Sequence, residues 1–240
     1  MTIATSQPET NNSASGIKDE KTDLPVTAPA ANPVFYRTYS RKLPDGRESW
    51  EQVNKRNLDG LKKLGGLNEA EISLMQRMQQ EKKALPSGRW LWIGGTEWIE
   101  KEKNFSGAYN YTSTNLVDWQ AFGLMMDLAM MGCGTGAIIE PHLINQLPKV
   151  INKINIQNVS EIGITSSDKR NEKTTFSIQE NNVFIKVGDS RRGWVDSYQK
   201  ILELSSDNSF KNREINVSIN LEDVRPAGES LKGFGGMATQ

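Results

Sequence analysis

The stretch from Leu85 to Pro141 constrains the fold most, because several different local structures follow one another there without a break. It reads LPSGRWLWIGGTEW, then GAYNYTSTN, then LMMDLAMMGCGTGAIIEP. Pro86-Ser87-Gly88 opens a turn, Arg89 to Ile93 is aromatic and β-branched, and Gly94-Gly95-Thr96 turns again. The helix after Asp118 is apolar nearly all round, which predicts burial on several sides. Glycine turn 132–136 follows it, and Ala137-Ile138-Ile139 reads as a short buried strand. Strand and helix alternating in this way predict an α/β fold.

The flanks are easier to read. Ser49 can cap a helix over Ser49–Leu64, with Gln52 completing a capping box. Trp50, Val53, Leu58, Leu61 and Leu64 fall along one side, and Gly65-Gly66 is a stop signal. Asn68 caps a second helix running to about Ala84, with Glu71 in the reciprocal position. Its expected buried face is Ile72, Leu74, Met75 and Met78. Thr174–Ile178 and Val183–Val187 alternate around Glu180-Asn181-Asn182, a hairpin signature. Asp189 to Leu204 reads as a helix capped by Asp189 or Ser190, with Trp194, Tyr198, Ile201 and Leu202 along one side. Glu214 to Leu221 alternates as a strand.

Composition excludes some classes. Lys+Arg 29 against Asp+Glu 29 leaves no net charge, so the basic excess of a nucleic-acid binder is missing. The longest apolar run, Leu116 to Met131, is broken by Asp118, Gln120 and Asp127 and is too short to span a bilayer. No membrane partner is expected. Residues 1–32 are rich in Ser, Thr, Pro, Asn and charge and read as a disordered tail. A transit peptide is the alternative, against which Glu9, Asp19, Glu20 and Asp23 argue. One cysteine, Cys133, cannot form an intrachain bridge. With no signal peptide, this predicts a soluble, cytoplasmic chain. In Gly132-Cys133-Gly134 the thiol reads first as a small buried hydrophobe.

Over Leu85–Pro141 the chain resembles the adenosylcobalamin-dependent (class II) ribonucleotide reductases, most of all the monomeric triphosphate-reducing type. FYRTYSRKLPDGRESWEQVNKR (Phe35–Arg56), VGDSRRGW (Val187–Trp194) and DVRPAGESLKGFGG (Asp223–Gly236) extend the likeness in order across residues 33–240, more weakly between about 150 and 185. The resemblance implies N-terminal helices (33–85), the truncated start of a reductase-type α/β barrel (86–149), a β-rich insertion that builds part of the effector region (150–213), and a barrel strand with a glycine-rich end (214–240). It also implies a ribonucleoside triphosphate substrate, a deoxynucleoside triphosphate effector and thioredoxin as electron donor. Adenosylcobalamin is the implied radical source, with contacts expected mainly outside this chain.

That family carries a redox cysteine directly after the asparagine of the polar run, whereas here Asn110 is followed by Tyr111. Ribonucleotide reduction needs one sulfur for the thiyl radical and two for the reducing electrons. A chain with one cysteine is therefore expected to be inactive alone. An interrupted gene, assembly with a separate C-terminal half, and a decaying remnant all stay open. The rival reading is a non-catalytic deoxynucleotide-binding regulatory module.

Two glycine-rich places could hold phosphate, since backbone N–H groups freed of side chains can converge on an anion. Gly95 and Thr96 lie in one, and Gly134 and Thr135 in the other. The resemblance sets the first loop, with Ser113 nearby, against substrate phosphates. Each is also an ordinary tight turn. Asp189, Ser190, Arg191 and Arg192 combine a helix N-terminus with two guanidinium groups, which favours an anionic effector. The bland alternative is a capped surface helix. His142 is the sole histidine, so neither a zinc site nor a histidine-based triad is expected.

Overall fold

A computed structural model describes residues 31–210, 213–231 and 236–239. The expected disordered tail lies outside these residues up to residue 30. The first helix, α1 (Ala31–Thr38), begins within its last two positions.

Helix α2 (Trp50–Gly65) and helix α3 (Glu69–Gln80) form as their caps dictate. Ser49 with Gln52, and Asn68 with Glu71, make complete capping boxes, and Gly66 closes α2 at φ 57°. The buried face of α2 differs from expectation. Leu64 is exposed, while Asn54, Asn57 and Gly60 are buried beside Trp50, Val53 and Leu58. Gly60 is where the helix meets the Gly95 backbone, and a Cβ there would lie 2.6 Å from the Gly95 nitrogen. In α3 the buried positions are Ile72 and Gln79, seven residues apart on one face, and Leu74 points to solvent. The helix stops at Gln80 and not Ala84. Lys82 takes a left-handed φ of 58°, and the Lys83 amide reaches back to the Met78 carbonyl at 2.9 Å, which ends a helix by turning its last carbonyls inward.

Phe35, Trp50, Val53 and Leu91 form the core of this helical unit. Phe35 meets Trp50 edge-on at 5.7 Å. A two-residue-per-strand hairpin, β1 (Lys42–Leu43) with β2 (Gly46–Arg47), delivers Glu48 beneath it. Arg56 grips both Glu48 oxygens at 2.7 and 2.8 Å and donates to the carbonyls of Gly94 and Leu91 at 2.6 and 3.0 Å. The aromatic and β-branched segment Arg89–Ile93 lies in a short helix, α4 (Gly88–Ile93), which the Ser87 side chain caps by accepting from the Trp90 amide. A four-residue helix, α5 (Glu97–Glu100), and a 3₁₀ segment, Glu102–Ala108, follow.

Next comes a βαβ unit. Strand β3 (Tyr111–Asn115) and strand β4 (Gly134–Ile138) pair in parallel across helix α6 (Trp119–Met130), which is capped by Asp118. The glycine turn of the sequence is thus largely strand. The expected buried strand at 137–139 is exposed, since β4 has a neighbour on only one edge among the described residues. Helix α6 is covered by β3, β4 and α8 (Arg191–Ser206), yet Leu124 and Met130 face solvent. Its all-round apolarity therefore exceeds its burial here.

After a one-turn helix, α7 (Pro141–Ile144), a four-stranded sheet completes the fold. Its order is β5 (Lys153–Val159), β8 (Glu214–Asn220), β7 (Asn182–Lys186), β6 (Thr175–Gln179). Strands β5, β8 and β7 are parallel, and β6 joins β7 as the expected hairpin, with Glu180 at φ 54° in the turn. Strand β8, expected as a barrel strand, lies between β5 and β7 in this sheet. Helix α8 crosses over from β7 to β8 and covers one face. Val183, Ile185, Val187, Leu204, Ile215 and Val217 make the larger core there.

Glu48 and Arg56 are almost fully buried, at 8% and 13% side-chain exposure. Removing one partner leaves the other charge without a counter-ion, which costs about 3–5 kcal/mol. Glu48→Ala is expected to lower unfolding stability by that amount in urea titration followed by tryptophan fluorescence, with Lys55→Ala, at an exposed ion pair, nearly neutral.

Candidate functional site

The residues singled out for phosphate fall into two places. In the first, Gly95 sits at φ 69°, and any side chain there would collide with the Arg56 carbonyl. The Thr96 hydroxyl donates to the Ile93 carbonyl at 2.7 Å. Close approach of α2 to this loop is what the glycine serves, and the hydroxyl is already engaged.

In the second place, strand register decides the geometry. Tyr111 lies opposite Gly134, Thr112 opposite Thr135 and Ser113 opposite Gly136. Side chains alternate along a strand, so Tyr111, Ser113 and Gly134 share the open face while Thr112 and Thr135 point toward α6. Gly134 is exposed and leaves room for the Tyr111 ring beside it, since a Cβ there would lie 2.8 Å from that ring. Ser113 and Gly134 therefore line one exposed strip, and Thr135 stands on its other side. Tyr111 itself is 83% exposed.

Cys133 is buried beside Leu128, Met131 and Trp98. Its Sγ lies 3.2 Å from the Tyr109 carbonyl oxygen. The same turn is held by Arg89, whose guanidinium donates to the carbonyls of Met131, at 2.9 Å, and Gly132. Sequence reading missed Arg89. Its only signal was a cationic residue set before an apolar helix that closes on a glycine turn.

The expected effector residues have distinct jobs. Asp189 is buried and accepts from Arg225, Nε to Oδ1 at 2.8 Å and Nη2 to Oδ2 at 3.1 Å. Ser190 caps α8, accepting from the Gly193 amide at 3.0 Å and donating to the Glu172 carbonyl. Arg191 turns to Asp127 of α6 at 3.3 Å and to the Lys103 carbonyl at 3.1 Å. Arg192 extends outward and pairs with Asp196 one turn on. Of the four, Arg192 is the side chain most open to solvent.

Around Asp189 stands an ionic cluster that the sequence did not signal, because its members are far apart in the chain. Arg170 grips Glu229 with two bonds, at 2.6 and 2.8 Å. Asp223, fully buried, accepts from the Asn171 side chain at 3.0 Å and faces Lys186 at 3.2 Å. Burial pushes the Asp223 pKa up. Hydrogen bonds from Thr165, Asn171 and Lys186 more than reverse this and bring it down to about 2. Among the described residues no cluster of three or more metal-ligating side chains occurs, and no helix is long and apolar enough to cross a membrane. His142 is exposed and lies 3.3 Å from Glu140.

Residues 146–240 match the family model for the insertion domain of B12-dependent ribonucleotide reductase. They include the whole four-stranded sheet with α8, and they run past the residue-213 limit expected from sequence. Over 86% of its length the chain is also similar to adenosylcobalamin-dependent ribonucleoside-triphosphate reductases, at 25% identity to that of Lactobacillus gasseri and 26% to that of Lactobacillus leichmannii. A crystal structure of a B12-dependent (class II) ribonucleotide reductase has the same fold over 86% of the chain, at a TM-score of 0.61 and 24% identity. The chain is thus similar to the class II ribonucleotide reductases, and residues 146–240 match the model of their insertion domain. It spans about a third of the length of the curated relatives it matches, 33% in each of these two cases.

Because the folded pKa of Asp223 lies below its ordinary 3.8, its ionised form stabilises the fold above about pH 4. That contribution is lost as pH falls toward 2. Urea midpoints measured across pH 5 to 2 are expected to fall, and to fall less steeply in Asp223→Asn, which starts from a lower midpoint at pH 5.

Proposed function

We propose that the chain supplies the N-terminal part of a class II ribonucleoside-triphosphate reductase and does not complete the reaction alone. The match of residues 146–240 to the reductase insertion domain carries this reading. In the whole enzyme the reaction replaces the ribose 2′-hydroxyl of a ribonucleoside triphosphate with hydrogen, and thioredoxin restores the electrons. That chemistry needs three sulfurs. This chain holds one, and Cys133 is packed against backbone carbonyls in a small apolar cluster. Tyr111 cannot form a disulfide, so the first strand of the βαβ unit brings no redox sulfur.

Within this reading, the strip of Ser113 and Gly134 is the part of the chain that faces substrate phosphate, while the Gly95–Thr96 loop packs against α2 at Gly60. Thr135 acts on the α6 side as a strand residue. Arg192, at the first turn of α8, is the group that meets an anionic deoxynucleotide effector, while Asp189, Ser190 and Arg191 hold that turn in place. Adenosylcobalamin supplies the radical in such an enzyme. Among residues that could meet such a group, the sole histidine is exposed beside Glu140, and Trp119 donates to Ser206 at 2.8 Å. The cofactor's contacts are placed mainly outside these residues.

Purified chain given CTP or ATP, adenosylcobalamin and a thioredoxin system is expected to yield no dCTP or dATP. Product formed without a second polypeptide contradicts the reading. Saturable dNTP binding by calorimetry, with no turnover even beside a complementary C-terminal portion, would favour the non-catalytic regulatory module.

A further inference from the structure

Helix α8 covers one face of the four-stranded sheet. The other face carries a different chemistry. Register places Asn155, Asn158, Asn182, Phe184, Lys186, Asn216, Ser218, Asn220, Thr175 and Ser177 there, opposite in direction to the apolar set of Val183, Ile185, Ile215 and Val217. Among these polar groups stands one aromatic ring, Phe184, 43% exposed.

The two ends of this face differ. At the amino end of the parallel strands the amides satisfy one another. Asn155 donates to Asn216 and Asn216 donates to Asn182, each at 3.2 Å, a ladder across three strands. At the carboxyl end, Asn158, Ser177 and Ser218 make no side-chain hydrogen bond among the described residues. They surround Phe184 in a shallow depression of about 600 Å³. Ligands in open sheets with parallel strands gather beyond the carboxyl ends of those strands. The cation at the rim, Lys186, is already paired with buried Asp223, so the depression offers a flat apolar ring, amide and hydroxyl groups, and no spare positive charge.

That combination selects a planar, uncharged, hydrogen-bonding ring. Aromatic side chains on a sheet stack nucleobases, and an asparagine amide presents a donor and an acceptor that match a base edge. We propose that this end of the sheet face binds an uncharged nucleobase or nucleoside, stacked on Phe184 and held at its edges by Asn158, Ser177 and Ser218. The site lies on the face away from α8 and does not depend on the reductase reading.

The test is calorimetry of the full chain with adenosine, and with glucose as an uncharged, non-planar control. Phe184→Ala, Phe184→Trp and Asn158→Ala are compared with wild type. Phe184 is on the solvent face, so folding of each variant is checked by thermal melting. The expected result is saturable adenosine binding, weakened about tenfold or more by Phe184→Ala, retained by Phe184→Trp with quenched tryptophan fluorescence, and weakened by Asn158→Ala. Lys55→Ala, at an exposed ion pair on α2, leaves it unchanged. No adenosine binding, equal binding of glucose, or binding indifferent to Phe184→Ala overturns the proposal.

Discussion

The buried carboxylate of Asp189 is the point on which the carboxyl edge of the sheet depends. It follows β7 and precedes α8, and it is held by Arg225 from the segment after β8, with Arg170 from the loop before β6 at 3.9 Å. Arg170 in turn holds Glu229, and Asp223 holds Asn171 and Lys186. Three chain segments distant in sequence are thus tied at one corner. Buried charge networks seldom add much net stability, because desolvation offsets attraction. Their effect here is geometric: they fix where α8 starts, and so where α8 meets α6.

The contact between α8 and α6 joins the two halves of the chain. Arg191 reaches Asp127, and Trp119 donates to Ser206 near the far end of α8. Gly123 allows close approach, since a side chain there would meet Gln199. The insertion-type sheet therefore positions the helix behind β3 and β4, and with it the strip of Ser113 and Gly134. A residue such as Arg191, read from sequence as a candidate ligand for an anion, spends its charge on this alignment.

Much of the fold was legible because its signals are local. Both capping boxes, the two-residue hairpin loop and the alternation of β8 depend on residues a few positions apart. Arg89–Ile93 carried no clear signal, because aromatic and β-branched residues favour strands while the Ser87 cap sets a helix there. Leu64 and Leu74 misled because hydrophobicity was counted before the neighbours were known. Asn54, Asn57 and Gly60 took the buried positions on α2, the last because α2 crosses the Gly95 backbone. The candidate site was legible in part. Glycines and hydroxyls at 95–96, 113 and 134–135 were visible, but only strand register could separate Thr135 from Ser113 and Gly134. The ionic cluster was invisible, since Arg170, Asp189, Asp223, Arg225 and Glu229 come together only after the sheet forms.

Native-state hydrogen exchange on Asp189→Ala tests most directly whether this corner organises the unit. Faster exchange is predicted together at the first turn of α8, in the segment 165–174 and in 222–231, with the amides of β5 and β8 near the Asn ladder still protected. Change confined to residues 188–191 would contradict the account.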